Sequence, residues 1–340
     1  MLRTRFSCVI GLGVLVHFTT AVANEPTSAD WPPMPQAVSS FGAVVDGGYL
    51  YIYGGHAGKT HQYDTQSVLG SFYRLKLHGG KQWEELPRGP IAQGLNLVAH
   101  NGKIYRIGGM QPRNAPGQPA DNHSLADCAR FNPQTNQWEE LPPLPAPRSS
   151  HDVVVVGDQL VVVGGWQLRG RGESPRWHDT TLVLDLTATK LQWKTLKQPF
   201  QRRALTAAAL DSKVYVLGGL TADGPDPRVD ILDLTTGQWS EGPPIPGKER
   251  VAFSPAACTV EGRLVLNTSD GTVYQLTPRS TQWEKVAQSK QKRMVARLVP
   301  AGRDRVILLG GASGGSNSDT LEVITLTLPQ PPSNDRSPKR

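Results

Sequence analysis

Short apolar runs come in pairs along this chain. In one instance "SHDVVVV" (150–156) turns at "GD" and returns as "QLVVVGG" (159–165). After a loop come "TTLVLDL" (180–186), a polar turn and "QWKTL" (192–196). β-Branched and aliphatic runs bounded by Gly, Asn and Pro signal strands, so this segment predicts four antiparallel strands. The order recurs. "LYIYGG" ends at Gly55, "IYRIGG" at Gly109, "LVVVGG" at Gly165, "VYVLGG" at Gly219 and "VILLGG" at Gly311, with a degraded copy, "LVLNTSDG", at 264–271. First glycines at 54, 108, 164 and 218 set a period of 54 to 56 residues. Trp83, Trp138, Trp193, Trp239 and Trp283 follow successive copies, most of them trailed by proline.

Each glycine pair permits positive φ or a close backbone approach that a Cβ would prevent. Each repeat tryptophan supplies a large apolar body for packing one sheet on the next. The pattern resembles the kelch repeat, from residue 31 to about 328. The resemblance implies an all-β, six-bladed kelch β-propeller of the galactose oxidase/kelch superfamily. The sixth copy has a third strand, "LEVITLTL", but no tryptophan after it, whereas "DWPPMP" with Trp31 precedes the first copy. The N-terminal strand is therefore expected to complete the last blade and close the ring, leaving no unpaired edge.

The ends set the boundaries. Arg3 and Arg5 precede the apolar run "CVIGLGVLVHF", which "TTAVAN" follows. A basic start, a short apolar core and an Ala-x-Ala site read as a secretory signal peptide over residues 1–23. His17, Thr19 and Thr20 interrupt the run, well short of the roughly 20 apolar residues a membrane span requires. The expectation is a secreted or periplasmic protein with no membrane insertion after cleavage. The propeller occupies 24–328, and the proline-rich polar tail, 329–340, is expected to be disordered. Removing Arg3 and Arg5 lowers the formal charge from +7 to +5. With no Lys/Arg block, nucleic acid is not an expected partner. Cys128 and Cys258 fall in opposite blades, so both are expected as free buried thiols. A monomer is expected.

In a four-stranded antiparallel blade the 1–2 and 3–4 turns share one face of the disc, and the 2–3 loops share the other. The first set is short, as in "NGK", "GD" and "DSK"; the second is long and irregular, as in "HAGKTHQYDTQSVLG" and "WQLRGRGESPRWHD". Long loops on a rigid scaffold are where binding usually resides. His56, His61, His123, His151 and His178 fall on that face, and His78 and His100 do not. Arg148 and Arg202 each lie 16 residues before their first glycine, and Arg293 aligns with them if "PAGRDR" has one extra turn residue. These three are expected to converge near the axis. Trp166 and Trp177, with Arg176 and His178, occupy the blade-three loop. Aromatic faces beside arginines suit a sugar, carboxylate or sulfate; equally, the pair can form a small satellite core under solvated arginines. His56 and His61 can be metal ligands or polar loop residues, and the reading adopted expects no metal and no cofactor. Asp127, Asp179, Asp270 and Asp319 recur ahead of strand three, which points to turns.

Two functions from different classes fit. The first is a non-catalytic binding module whose partner is a glycan, an anionic small molecule or a protein, held by Arg148, Arg202, Arg293, Trp166, Trp177, Arg176, His178, His151 and His56. The second follows from a likeness of layout to the exported kelch mutarotases of the N-acetylneuraminate epimerase type. It implies a sugar-acid epimerase with a general acid/base, for which Glu173, His178 or His151 are candidates, and a cation for the carboxylate. A copper radical oxidase like galactose oxidase is set aside, because only Tyr63 among the tyrosines is a clear long-loop residue and the cysteines are misplaced.

Overall fold

A computed structural model describes residues 31–278 and 280–327; the proposed signal segment and the C-terminal tail lie outside them. Five sheets of four antiparallel strands and a sixth of three described strands follow one another along the chain. In blade three the order is Asp152–Val156, Gln159–Val163, Thr180–Asp185 and Trp193–Lys197, each strand pairing with the next. The innermost strands of the six blades begin at Gly42, Leu97, Asp152, Thr206, Ala256 and Arg297. One short 3-10 turn, Glu249–Ala252, is the only helical element among the described residues.

The core lies between blades. Each of six apolar clusters draws on two neighbouring sheets, as where Ile107 and Cys128 of blade two meet Leu160 and Leu184 of blade three. The last cluster joins Leu309 and Leu321 of blade six to Phe41, Leu50 and Leu75 of blade one, so the ring is closed by packing. The repeat tryptophans pin the same joints from the rim. Trp138 Nε1 donates to Pro87 O (2.7 Å), Trp193 to Pro142 O (2.9 Å) and Trp283 to Pro243 O (2.9 Å), each in the blade before.

The glycine pairs answer to a close approach. Gly164 has φ +66°, and a Cβ there would lie 2.8 Å from the Arg202 carbonyl and 2.3 Å from Leu205 Cδ2. Into that space the next blade sends its chain, and Gly165 N donates to Arg202 O at 2.7 Å. The same latch joins Gly55 to Ala92, Gly109 to Arg148, Gly219 to Ala252 and Gly311 to Val38. Blade five lacks it, because Thr268 and Ser269 stand where the others carry two glycines.

The N-terminal segment docks on blade six in a register three residues from the expected one. Met34 N donates to Asp319 O and Val38 N to Ser318 O, as Leu144 N does to Ala126 O inside blade two. "DWPPMP" therefore superposes on "ELPPLP" (140–145), and Trp31 takes the place of Leu141 rather than of a repeat tryptophan. It is buried, with Nε1 donating to Leu77 O at 3.1 Å. Residues that would form the outer strand of blade six precede the described ones.

Candidate functional site

Arg148, Arg202 and Arg293 do take equivalent positions, but they turn into the blades and not toward a ligand. They are 1%, 0% and 3% exposed. Arg148 Nη1 donates to Gly164 O (2.8 Å) and Thr180 O (2.7 Å), and Nη2 to Thr180 Oγ1 (3.0 Å). Arg202 bonds Gly218 O (3.0 Å), Arg228 O (2.8 Å) and the Asp230 carboxylate. Arg293 bonds Gly310 O and Thr320 O (both 3.3 Å) and Glu322 (3.0 Å). Each ties its own glycine turn to the chain entering strand three, which satisfies carbonyls that the turn leaves open. Burial pushes the Arg148 guanidinium below its usual range, partly countered by Asp179. The expected ligand contacts meet a competing use of these side chains: their Nη donors are already engaged by main-chain carbonyls and by Thr180, Asp230 and Glu322.

Two residues further on, each blade places one residue in the left-handed region: Ser40, Gly94, Ser150, Ala204, Ser254 and Val295, with φ between 47° and 63°. Their peptide groups link around the axis. Ser254 N donates to Ala204 O, Ala204 N to Ser150 O, Ser150 N to Gly94 O, Gly94 N to Ser40 O and Ser40 N to Val295 O, at 2.7–3.0 Å. The sixth link, Val295 N to Ser254 O, is not made. Beneath this chain the axis is filled by polar side chains. Asp152 accepts from Asn96 (2.9 Å), Thr206 (3.1 Å) and Ala207 N (2.8 Å), with Arg297 3.7 Å away.

Above the chain, on the long-loop face, lies a depression of about 370 Å³ whose floor includes Ser40, Gly94, Ser150, Ala204 and Val295. Its inner wall comes from the residue just before each floor position, among them Ser39, Gln93, Arg203, Phe253 and Met294. Its outer wall comes from the long loops, with His56, Tyr63, Asn122, Trp166 and Asn317. Arg203 is the one Lys or Arg in its lining. Its guanidinium carbon lies 3.9 Å from the Trp166 ring centroid and 5.7 Å from that of Trp177. Among the described residues no carboxylate lies within ion-pair distance of it, and its buried Nε has no partner. Burial pushes the Arg203 guanidinium down, and Tyr63 pushes it back up. Trp166 Nε1 and Asn122 Oδ1 are likewise buried without partners. The lining has no Asp or Glu among its side chains.

The expected residues divide. Trp166 and Trp177 face each other across a hairpin whose strands are two residues long, rings 5.6 Å apart at 63°, and Arg203 from the next blade stacks on them in place of their own loop's arginines. Arg176 is exposed and does not line the depression. His56 does line it, but its Nε2 lies 2.9 Å from Gln62 O, which folds the blade-one loop back and sets Tyr63 against the imidazole, rings 4.8 Å apart. Burial holds the His56 pKa below its usual value. His178 is buried with Nε2 donating to Pro147 O (3.0 Å), and burial, with Arg148 nearby, lowers its pKa to about 4. His151 is buried and pushed to about 3 by the same two causes. Neither histidine lines the depression. Cys128 is buried as expected and Cys258 only half-buried; both are free. No cluster of three His, Cys, Asp or Glu suited to a metal occurs among the described residues.

Arg203, Gln93 and Asn122 were not singled out by the sequence, and Tyr63 only as a long-loop tyrosine. The first two carried a usable signal, since they directly follow repeat-equivalent positions 202 and 92, and alternation along an extended chain sends neighbours opposite ways. Tyr63 and Asn122 sit in loops without periodicity.

Comparison with known proteins agrees with this architecture. Residues 14–165 match the KLHDC2/KLHL20/DRC7 Kelch-repeats domain, and residues 201–246 match the Kelch motif. Human Kelch repeat and BTB domain-containing protein 12 is 25% identical over 292 residues, covering 76% of this chain and 45% of that protein. Mouse Kelch-like protein 35 is 25% identical over 238 residues, 68% of this chain and 36% of that one. Kelch-like protein terF of Aspergillus terreus is 23% identical over 262 residues, 73% and 55% respectively. The chain thus spans about a third to a half of the length of these curated relatives. The solved structure of YjhT superposes with a TM-score of 0.70 at 17% identity, covering 87% of this chain and 97% of that one, a likeness of fold. Repeats, latches and relatives together place this chain in the kelch-repeat β-propeller family.

Proposed function

We propose that this propeller is a binding module that takes a small anionic ligand, a sugar acid or similar carboxylate, in the axial depression of its long-loop face. The observation that carries the reading is Arg203: a cation stacked on Trp166, unpaired and set among the unpaired Trp166 Nε1 and Asn122 Oδ1. No carboxylate of the lining balances the Arg203 charge, and the carboxylate of a ligand would give its guanidinium a charge-assisted partner. The volume of about 370 Å³ falls in the range of small-molecule sites, about 300–1,000 Å³. Binding is favoured over epimerisation because the lining contains no carboxylic acid and His56 is engaged with Gln62 O. The protein would meet this ligand outside the cytoplasm if residues 1–23 direct export.

The test is calorimetry with hexuronic and sialic acids and their neutral counterparts on wild type, Arg203→Ala and Trp166→Ala. Loss of a charge-assisted hydrogen bond, about 1.5–3 kcal/mol, means Arg203→Ala should weaken the acids at least tenfold. Trp166→Ala should weaken them less, and neutral sugars should bind poorly throughout. Neutral sugars binding as well as acids, with Arg203→Ala silent, would overturn the proposal.

A further inference from the structure

Blade five breaks the repeat in one place with three results. Thr268 and Ser269 replace the glycine pair, the loop between its second and third strands shrinks to residues 268–271, and both backbone links to blade six are missing. Elsewhere long loops or short hairpins rise over the face, as at Leu220–Thr221 with Gly224–Pro225 in blade four and Ala312–Ser313 with Ser316–Asn317 in blade six. Between those two hairpins blade five leaves a trough of about 510 Å³. Its walls are apolar, from Leu220, Pro225, Phe253, Met294 and Ala312, and the cations Arg250 and Lys292 stand among its lining. Met294, 39% exposed, is the one exposed large hydrophobic side chain among the described residues.

Phe253, Met294 and Ala312 line both the trough and the axial depression. The two hollows therefore adjoin and together form a surface of divided character. Over blades one to four it presents Tyr63, Gln93, Asn122 and Arg203; over blades five and six it is mainly apolar, from Phe253, Met294 and Ala312, with Arg250 and Lys292 beside them. A free sugar acid would fill only the first half and leave the second wet, at a cost that grows with apolar area. We propose that the ligand is an amphiphile: its anionic head sits at Arg203, and an apolar substituent, an alkyl or acyl chain, runs outward over Phe253 and Met294 through the blade-five trough. This rests on the reading of Arg203 above. Continuity with that site argues for a single molecule, since a separate occupant of the trough would have to share three lining residues with the head.

Calorimetry with methyl β-glucuronide, octyl β-glucuronide and octyl β-glucoside, below micellar concentrations, tests both levels. The alkyl chain should tighten the glucuronide at least tenfold, given about fourfold per fully buried methylene. Leu220→Ser, in the trough wall and outside the lining of the axial depression, should remove at least threefold of that gain and leave the methyl glucuronide unchanged. Pro225→Ser, which shares that placement, should do likewise. Met294→Ser, at the junction of the two, should also reduce the gain. Octyl glucoside should bind at least tenfold more weakly than octyl glucuronide. If methyl and octyl glucuronides bind equally while Arg203→Ala weakens both, the trough proposal fails and the head site stands. If no glucuronide responds to Arg203→Ala, both fail.

Discussion

Gly164→Ala should uncouple blade three from blade four, by an amount that can be worked from the joint. The new methyl group would sit 2.3 Å from Leu205 Cδ2 and 2.8 Å from Arg202 O. Neither neighbour is free to withdraw. Leu205 is 5% exposed within the inter-blade core, and the Arg202 backbone is held by the bond from Gly165 N at 2.7 Å. Three costs follow: about 1–2 kcal/mol for an alanine in the left-handed region, about 1 kcal/mol for the stretched latch and about 1–3 kcal/mol for overpacking. Gly237→Ala isolates the first of these, because Gly237 has φ +71° and an added methyl group there would have nothing within 4 Å. Gly164→Ala should therefore exceed Gly237→Ala by about 2–4 kcal/mol, read from urea midpoints with the denaturant slope unchanged. Equal losses in the two variants would refute the claim that the glycine pair exists to admit the next blade's carbonyl. Thr268 supplies a natural control: where a blade makes no latch, the glycines are gone.

Arg148→Ala and Arg203→Ala should separate structure from binding. The first removes three hydrogen bonds to Gly164 and Thr180 and strands buried carbonyls, so it should cost about 3 kcal/mol or more of stability, whereas Arg203→Ala should move the urea midpoint little. A stable Arg148→Ala variant would contradict the clamp. His178 and His151 are neutral in the fold, with pKa lowered to about 4 and about 3. The unfolded chain takes up protons below about pH 6.5 while the fold does not, so stability should fall as pH drops from about 6.5 toward 4, by up to about 1.4 kcal/mol per pH unit for each histidine. His178→Gln, measured by urea unfolding across that window, should flatten the slope; an unchanged slope would show that His178 accepts its proton without resistance.

The blades were legible because their requirements are local. A glycine pair marks a place with no room for Cβ, and a tryptophan followed by proline marks a rim bond such as that of Trp193 to Pro142, so both repeat as letters. Trp31 misled because its residue type matched the repeat while its register matched Leu141; only the bond from Met34 N to Asp319 O reveals the offset. The arginines show the same limit more sharply. Position along a repeat tells which blade edge a side chain occupies, not which way it turns, and Arg202 and Arg203 turn opposite ways from adjacent positions. The long-loop face was correct for the depression, but Tyr63 and Asn122 reach it through loop paths set by contacts such as His56 with Gln62 O, which no spacing encodes.

The floor of the axial depression is made of peptide groups, linked Ser254 to Ala204 to Ser150 to Gly94 to Ser40 to Val295, and side-chain substitution leaves such groups in place. Its inner wall is made of the residues immediately before them, which include Ser39, Gln93, Arg203, Phe253 and Met294. Foundation and selectivity are therefore written in adjacent letters of the same segment yet obey different constraints. A lineage can exchange the wall letters one blade at a time, changing what the socket accepts, while the main-chain base beneath keeps its shape.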